Sequence, residues 1–81
     1  MDWSVYIVEC ATGTWYCGCT NDVDARVATH NRGKGAKYTR ARLPVSLLAS
    51  VGGLTKSEAH KLEARVKKVP RAQKLAVLNM R

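Results

Sequence analysis

The chain lacks long hydrophobic runs, and it has few acidic residues and few cysteines. No segment reaches the roughly 18 consecutive apolar residues that a membrane-spanning helix needs. The opening Met1-Asp2-Trp3 also lacks the basic-then-apolar pattern of a signal peptide. We therefore expect a cytoplasmic protein with no membrane partner. Its 81 residues leave room for one domain, which we expect to span residues 1–81.

Acidic residues are scarce and unevenly placed. The chain has 6 Asp and Glu against 14 Lys and Arg, for a formal net charge of +8 at pH 7. No acidic residue occurs between Asp24 and Glu58, so the middle of the chain is wholly cationic. A strongly basic chain favours polyanionic partners, because each phosphate contact releases counterions. Nucleic acid is the partner that this composition predicts.

Three cysteines cannot all pair within one chain. Cys17 and Cys19 are two residues apart on a predicted strand, so they should share a face. A zinc site built from these two, Cys10 and His30 is the alternative, but Cys-x-Cys on a strand poorly matches the spacing of structural zinc knuckles. We expect all three cysteines to be reduced and to serve as small packing residues.

The order of elements predicted from the hydrophobic pattern and from the residues that end helices and strands is β-β-α-β-α-α. Ser4–Val8 and Trp15–Cys19 are rich in the β-branched and aromatic residues typical of strands, with a turn at Ala11–Gly13 between them. A third strand, Val45–Val51, should end at Gly52-Gly53.

Capping signals predict the three helices. Asn21 suits the N-cap of a first helix from Asp22 to His30. Thr55-Lys56-Ser57-Glu58 has the form of a capping box that opens a second helix, Ser57–Lys68. Pro70 suits the first position of a short last helix.

The first predicted helix carries charge on its apolar face. Four residues share an arc of about 100° when they are projected at 100° per residue: Val23, Arg26, Val27 and His30. Arg26 and His30 should therefore point inward. A phosphate bound in a cleft would offset the cost of burying the Arg26 guanidinium. The alternative for Arg26 is an ion pair with Glu58 or Glu63. For His30 the alternative is a hydrogen-bonded core or helix-end residue.

Two tyrosines belong to the first two strands, and the turn between them decides their relative orientation. A three-residue loop with Gly13 in the left-handed position pairs Tyr6 with Gly18 and puts Tyr6 and Tyr16 on one face. A loop of two or four residues would put them on opposite faces. The sequence leaves both arrangements open.

Two glutamates lie at the edges of the buried stripe of the second helix. Glu58 is explained by the capping box, so Glu63 is the better candidate for a metal ligand. One carboxylate suffices for a hard cation that also binds phosphate oxygens. The alternative for Glu63 is an i,i+4 ion pair with Lys67.

The segment NRGKGAKYTRAR, residues 31–42, has the composition of a loop. Gly33 and Gly35 permit close backbone approach, and the segment supplies cations and one stacking ring. A solvated basic loop is the alternative. The residues that we expect to contact nucleic acid are Arg32, Lys34, Lys37, Tyr38, Arg40 and Arg42.

These features together resemble a known family. Ser4-Val5-Tyr6 and Tyr16-Cys17-Gly18 are similar to the paired GIY and YIG elements of the GIY-YIG nuclease superfamily, especially its small stand-alone members. The stretches VYIVECATGTWYCGCTNDVDARVATHN, GKGAKYTRARLPV and SEAHKLEARVKK also match in order and spacing. Ser4 and Cys17 replace a glycine and an isoleucine of the pattern. The resemblance implies an α+β fold, with a three-stranded antiparallel sheet flanked by helices.

The resemblance also implies catalytic roles. Tyr6 and Tyr16 match the tyrosines that orient or deprotonate the attacking water. Arg26 matches the arginine that contacts the scissile phosphate. Glu63 matches the glutamate that binds one divalent metal, Mg²⁺ or Mn²⁺. His30 matches a histidine of some branches. A phenol with an ordinary pKa of about 10 is a poor base, so Tyr6 would need a lowered pKa or a relay through His30. Which tyrosine is the base stays open.

The expected function is therefore that of a metal-dependent DNA endonuclease, in DNA repair or recombination. Family nucleases with defined targets usually carry an added DNA-binding domain, so we expect a protein partner to supply specificity. The main alternative is a nucleic-acid-binding module of the same fold with weak or no catalysis. A further version of this alternative is a basic protein that associates with RNA or the ribosome.

Overall fold

The structure is a computed structural model that describes residues 2–79. A three-stranded antiparallel sheet, with Trp3–Cys10 paired between Trp15–Thr20 and Val45–Leu54, has helices on both faces, which confirms the predicted α+β fold. Within residues 2–79, no helix combines the length and apolarity needed to cross a bilayer. The elements are β1 (Trp3–Cys10), β2 (Trp15–Thr20), α1 (Val23–Asn31), α2 (Lys37–Arg40), β3 (Val45–Leu54), α3 (Lys56–Lys68) and α4 (Arg71–Asn79).

The β1–β2 hairpin has the three-residue loop that aligns the two tyrosines. Gly13 has φ 85°, and the Cys10 amide donates to the Thr14 carbonyl at 2.8 Å. This loop pairs Tyr6 with Gly18. Tyr6 and Tyr16 consequently lie on the same face of the sheet. This is the arrangement that the three-residue loop predicted, and not that of a two- or four-residue loop.

Strand β1 is buried on both faces, because helices cover both sides of the sheet. Its consecutive residues Val5, Tyr6, Ile7 and Val8 are all at most 1% exposed. Val5 and Ile7 pack against residues of α3 and α4, whereas Tyr6 and Val8 pack on the α1 side. Full burial of each aliphatic side chain contributes about 1.5–3 kcal/mol, so this strand anchors the fold.

The bounds of several predicted elements were wrong. Asp22, not Asn21, is the N-cap of α1, because its carboxylate accepts from the Ala25 amide at 3.1 Å. Strand β3 continues through the two glycines to Leu54. A bulge there places two β3 residues opposite Ser4 and lets Leu54 pair with Trp3.

Two further bounds concern helices. The segment predicted as a loop contains the single turn α2, Lys37–Arg40. The capping box is confirmed, since Thr55 and Glu58 exchange side-chain-to-backbone hydrogen bonds of 2.8 and 3.1 Å. It places the start of α3 at Lys56, one residue earlier than predicted.

Candidate active site

A buried chain of hydrogen bonds joins β1, α1 and α2. Tyr6 Oη lies 2.8 Å from His30 Nε2, and His30 Nδ1 lies 2.8 Å from Thr39 Oγ1. Thr39 Oγ1 donates its only proton to the Ala36 carbonyl at 2.8 Å, so it must accept from His30 Nδ1. His30 Nε2 is left as an acceptor for the Tyr6 hydroxyl. We call this arrangement the Tyr6–His30–Thr39 chain.

Two glycines provide the space that this chain occupies. A Cβ at Gly18 would lie 2.8 Å from Tyr6 Cζ. A Cβ at Gly35 would contact His30 Nδ1 and lie 2.8 Å from its Cγ. The glycine of Tyr16-Cys17-Gly18 thus accommodates the first tyrosine. Gly35, which we expected to permit close backbone approach to nucleic acid, makes room for His30.

Burial determines the protonation of the chain. It raises the pKa of Tyr6 to about 12, and outweighs the hydrogen bond and charge of Arg26, which lower it. Burial, followed by the charge of Arg26, lowers the pKa of His30. At neutral pH Tyr6 is therefore a neutral donor and His30 a neutral acceptor. Nearby positive charge therefore does not lower the pKa of Tyr6 below its ordinary value, and a lowered pKa was one of the two conditions under which Tyr6 could act as a base.

Tyr16 lies beside the chain and is only partly buried. Its ring meets that of His30 edge-on, with centroids 5.4 Å apart, and stacks on Tyr38 at 6.0 Å. The Arg42 guanidinium carbon lies 3.9 Å from the Tyr38 ring centroid, and Arg42 also donates to the Tyr38 carbonyl at 2.7 Å. The basic segment, residues 31–42, therefore reaches the sheet face that carries Tyr6 and Tyr16 through Tyr38 and Arg42.

Glu63 joins this site through Lys67. Its Oε2 lies 2.9 Å from Lys67 Nζ, and that nitrogen is 5.7 Å from the Tyr16 ring centroid. Burial alone would lower the pKa of Lys67, but the hydrogen bond and charge of Glu63 outweigh it and raise that pKa. The ion pair named as the alternative role for Glu63 is thus present. The carboxylate also fits a hard cation, which needs one or two such ligands beside phosphate oxygens and water.

Comparison with known proteins shows the family to which the chain belongs. The model of the GIY-YIG catalytic domain matches residues 2–76. This chain belongs to the GIY-YIG family. A UPF0213 protein of Nitratidesulfovibrio vulgaris is 47% identical over 76 residues, covering 94% of this chain and 69% of that protein. One from Halobacterium salinarum is 53% identical over 73 residues, covering 90% of this chain and 95% of that protein.

Two solution NMR structures show the same GIY-YIG fold. A UPF0213 protein from Bacillus halodurans has a TM-score of 0.59 and 44% identity, and the alignment covers 100% of this chain and 86% of that one. A protein from E. faecalis has a TM-score of 0.62 and 40% identity, with 94% of this chain and 81% of that one covered.

The structure brings most candidate residues of this GIY-YIG chain together. Tyr6, Tyr16, Arg26 and His30 form one cluster, and Glu63 is connected to it through Lys67. Of the predicted nucleic-acid contacts, Tyr38 stacks on the ring of Tyr16, and Arg42 packs on Tyr38. The other four are exposed on the same segment: Arg32, Lys34, Lys37 and Arg40.

A groove of about 250 Å³ opens beside Tyr16, and its walls include Tyr38, Lys67 and Lys74. A larger concavity of about 400 Å³ lies near Gly53, on the α3 side, and none of the candidate catalytic residues lines it. Two lysines and two stackable rings suit a phosphate and a base, so the smaller groove is the better candidate for the substrate path.

Thr39 was missed by the sequence analysis. It lies nine residues after His30 in a segment that we predicted to be a loop, and no local pattern marks it as a partner of the histidine. The turn of α2 is what brings its hydroxyl to His30.

Proposed function

We propose that this GIY-YIG protein is a divalent-metal-dependent endonuclease that hydrolyses DNA phosphodiester bonds. The observation that carries the proposal is the Tyr6–His30–Thr39 chain beside Tyr16 and Arg26. Buried polar groups cost stability unless every member is paired. A protein that only bound nucleic acid through surface cations would have no need for this arrangement.

We assign contact with the attacking water to Tyr16. Tyr6 is 1% exposed, and its hydroxyl is committed to His30 at 2.8 Å. Tyr16 is partly exposed and borders the groove, so its hydroxyl is the phenol that a substrate-bound water can reach. In hydrolysis the water oxygen bonds to phosphorus, one P–O ester bond breaks, and the leaving oxygen gains a proton. Positioned proton transfer of this kind typically contributes about 10²–10⁴-fold to the rate.

Arg26 is the group that we assign to the scissile phosphate. Arg26 is partly buried, and it lies close enough to lower the pKa of the Tyr6 hydroxyl, which the chain holds in place. A guanidinium in this position can stabilise the charge that develops on the phosphate oxygens, because it needs no reorganisation during the reaction. A divalent cation bound at Glu63, Mg²⁺ or Mn²⁺, supplies further positive charge when present.

Substrate binding is assigned to the cationic segment. A net charge of +8 and the exposed Arg and Lys residues of residues 31–42 favour a polyanion. Tyr38 offers an exposed ring for base stacking, with Arg42 behind it. We further propose that the protein acts on DNA in the cytoplasm as a single domain, in repair or recombination, and that a protein partner supplies specificity.

A nucleic-acid-binding module without catalysis is the second candidate. One observation favours it, since Lys67 neutralises Glu63 at 2.9 Å and Cys19 donates its thiol proton to the same carboxylate at 3.3 Å. A carboxylate engaged in this way is less available to a catalytic metal.

The experiment that separates the two candidates is cleavage of single-stranded, duplex, branched and flap DNA by the purified protein with Mg²⁺ or Mn²⁺. Glu63→Gln and Arg26→Ala serve as matched variants. We expect wild-type cleavage of at least one substrate and its loss in both variants, while Glu63→Gln still binds that DNA. Salt-sensitive binding with no cleavage of any substrate would favour the binding module.

A further inference from the structure

Cys19, His60 and Glu63 form a cluster of three metal-ligating side chains at the edge of the sheet. Cys19 Sγ lies 3.5 Å from His60 Nδ1 and 3.3 Å from Glu63 Oε1, and His60 Nδ1 lies 3.8 Å from the same carboxylate oxygen. The three atoms therefore form a closed triangle of one sulfur, one nitrogen and one oxygen.

The dimensions of this triangle fit one face of a tetrahedron around zinc. Zn–S bonds of about 2.3 Å and Zn–N or Zn–O bonds of about 2.0–2.1 Å, set at the tetrahedral angle, separate ligand atoms by about 3.4–3.6 Å. The observed separations of 3.3, 3.5 and 3.8 Å lie within about 0.5 Å of those values.

The fold holds these side chains in place. His60 and Glu63 are three residues apart on α3, so they project from adjacent turns of one face. The buried residues Ala59 and Leu62 fix that helix against the sheet. Cys19 faces the same helix from β2. Lys67 engages Glu63 Oε2, which leaves Oε1 directed at Cys19 and His60.

We propose that Cys19, His60 and Glu63 bind a thiophilic divalent cation, with Zn²⁺ as the ion of first choice and Cd²⁺ as its close analogue. Thiolate and imidazole ligands favour such ions over Mg²⁺, which prefers oxygen donors. Three protein ligands leave the fourth position to water. Binding replaces the Cys19 thiol proton, which now bonds to Glu63, with the metal and releases that proton to solvent.

This site shares Glu63 with the proposed nuclease, and the regulatory consequence rests on that proposed function. A thiophilic ion at Cys19 and His60 holds the carboxylate that Mg²⁺ or Mn²⁺ needs. Zn²⁺ is therefore an inhibitor that competes with the catalytic cation. This differs from the zinc site weighed from the sequence, because Cys10 and Cys17 are buried in separate clusters and His30 belongs to the Tyr6–His30–Thr39 chain.

The test is titration of the reduced, tag-free full chain with Cd²⁺, followed by ultraviolet absorbance of the sulfur-to-cadmium charge-transfer band, and with Zn²⁺ by calorimetry. We expect one ion per chain. Cys19→Ser should abolish the band and weaken Zn²⁺ binding by on the order of 100-fold, and His60→Ala should weaken it similarly. Cys17→Ala, which removes the neighbouring buried thiol, is the matched control and should leave both signals unchanged.

Either an unchanged band in Cys19→Ser or loss of the band in Cys17→Ala would overturn the assignment. These measurements do not depend on catalysis, so they remain decisive if the protein cleaves no DNA. Cleavage that occurs with Mg²⁺ but is unaffected by Zn²⁺ at saturating occupancy would contradict only the inhibitory consequence.

Discussion

Tyr6 Oη and His30 Nε2 lie 2.8 Å apart in the interior of the molecule, and this contact joins β1 to α1. Both side chains are at most 1% exposed. The hydrogen bond fixes Tyr6 as a neutral donor to His30, and burial keeps its pKa high despite the nearby Arg26. It thereby separates the two family tyrosines by role, since Tyr16 alone is partly exposed to the groove.

Thr39 should matter through the histidine that it orients. Thr39→Val keeps the shape but leaves the buried His30 Nδ1–H without an acceptor, which should lower the free energy of unfolding by about 1–3 kcal/mol. Urea unfolding measures this change. Thr39→Ser retains the hydroxyl and should lose much less. Equal losses in the two variants would show that methyl packing, not the hydrogen bond, is what Thr39 contributes.

Stability should fall in mild acid because of His30. Burial lowers its pKa in the folded state, so between that value and its ordinary pKa of about 6.5 only the unfolded chain binds the proton. The free energy of unfolding should therefore decrease as pH falls below about 6.5. Urea unfolding across about pH 5–8 should show this slope, and His30→Gln should flatten it.

His60→Gln is the control for this titration, because His60 is exposed on α3. It should keep the slope of the wild-type protein. A slope that survives in His30→Gln and disappears in His60→Gln would show that the buried histidine is not the group responsible.

Arg42 should contribute to DNA affinity beyond its single charge. Its guanidinium packs on Tyr38, which stacks on Tyr16, so Arg42→Ala removes both a phosphate contact and support for a stacking ring. We expect weaker binding and a salt dependence reduced by about one phosphate contact. Fluorescence anisotropy at several salt concentrations measures both. Arg65→Ala, on exposed α3, removes the same charge and should have a smaller effect.

The shared face of the two tyrosines depended on a loop length that the sequence left open, but the strands themselves could be predicted because β-branched and aromatic residues leave few arrangements. The capping box was predictable for a similar reason, since its partners are three residues apart. The inward direction of Arg26 and His30 followed from helical period alone, and the structure places both at Tyr6.

Other parts of the site depend on contacts between residues far apart in the chain. Thr39 reaches His30 only because α2 forms a turn in a segment with loop composition. Cys19 meets His60 and Glu63 across 41 and 44 residues, a distance at which spacing rules give no signal. A lowered pKa was one of two ways in which Tyr6 could act as a base, but its pKa does not fall although the Arg26 cation is near. It rises because desolvation, which the sequence does not display, outweighs that charge.

The most direct test of the account compares Tyr16→Phe with Tyr6→Phe in single-turnover cleavage of the preferred DNA substrate, with urea unfolding measured in parallel. Tyr16→Phe should slow cleavage by about 10²-fold or more with little change in stability. Tyr6→Phe should destabilise the fold by about 1–3 kcal/mol, because it leaves His30 Nε2 unpaired, and slow cleavage less. Near-normal cleavage by Tyr16→Phe, with complete loss in a stably folded Tyr6→Phe, would contradict the assignment.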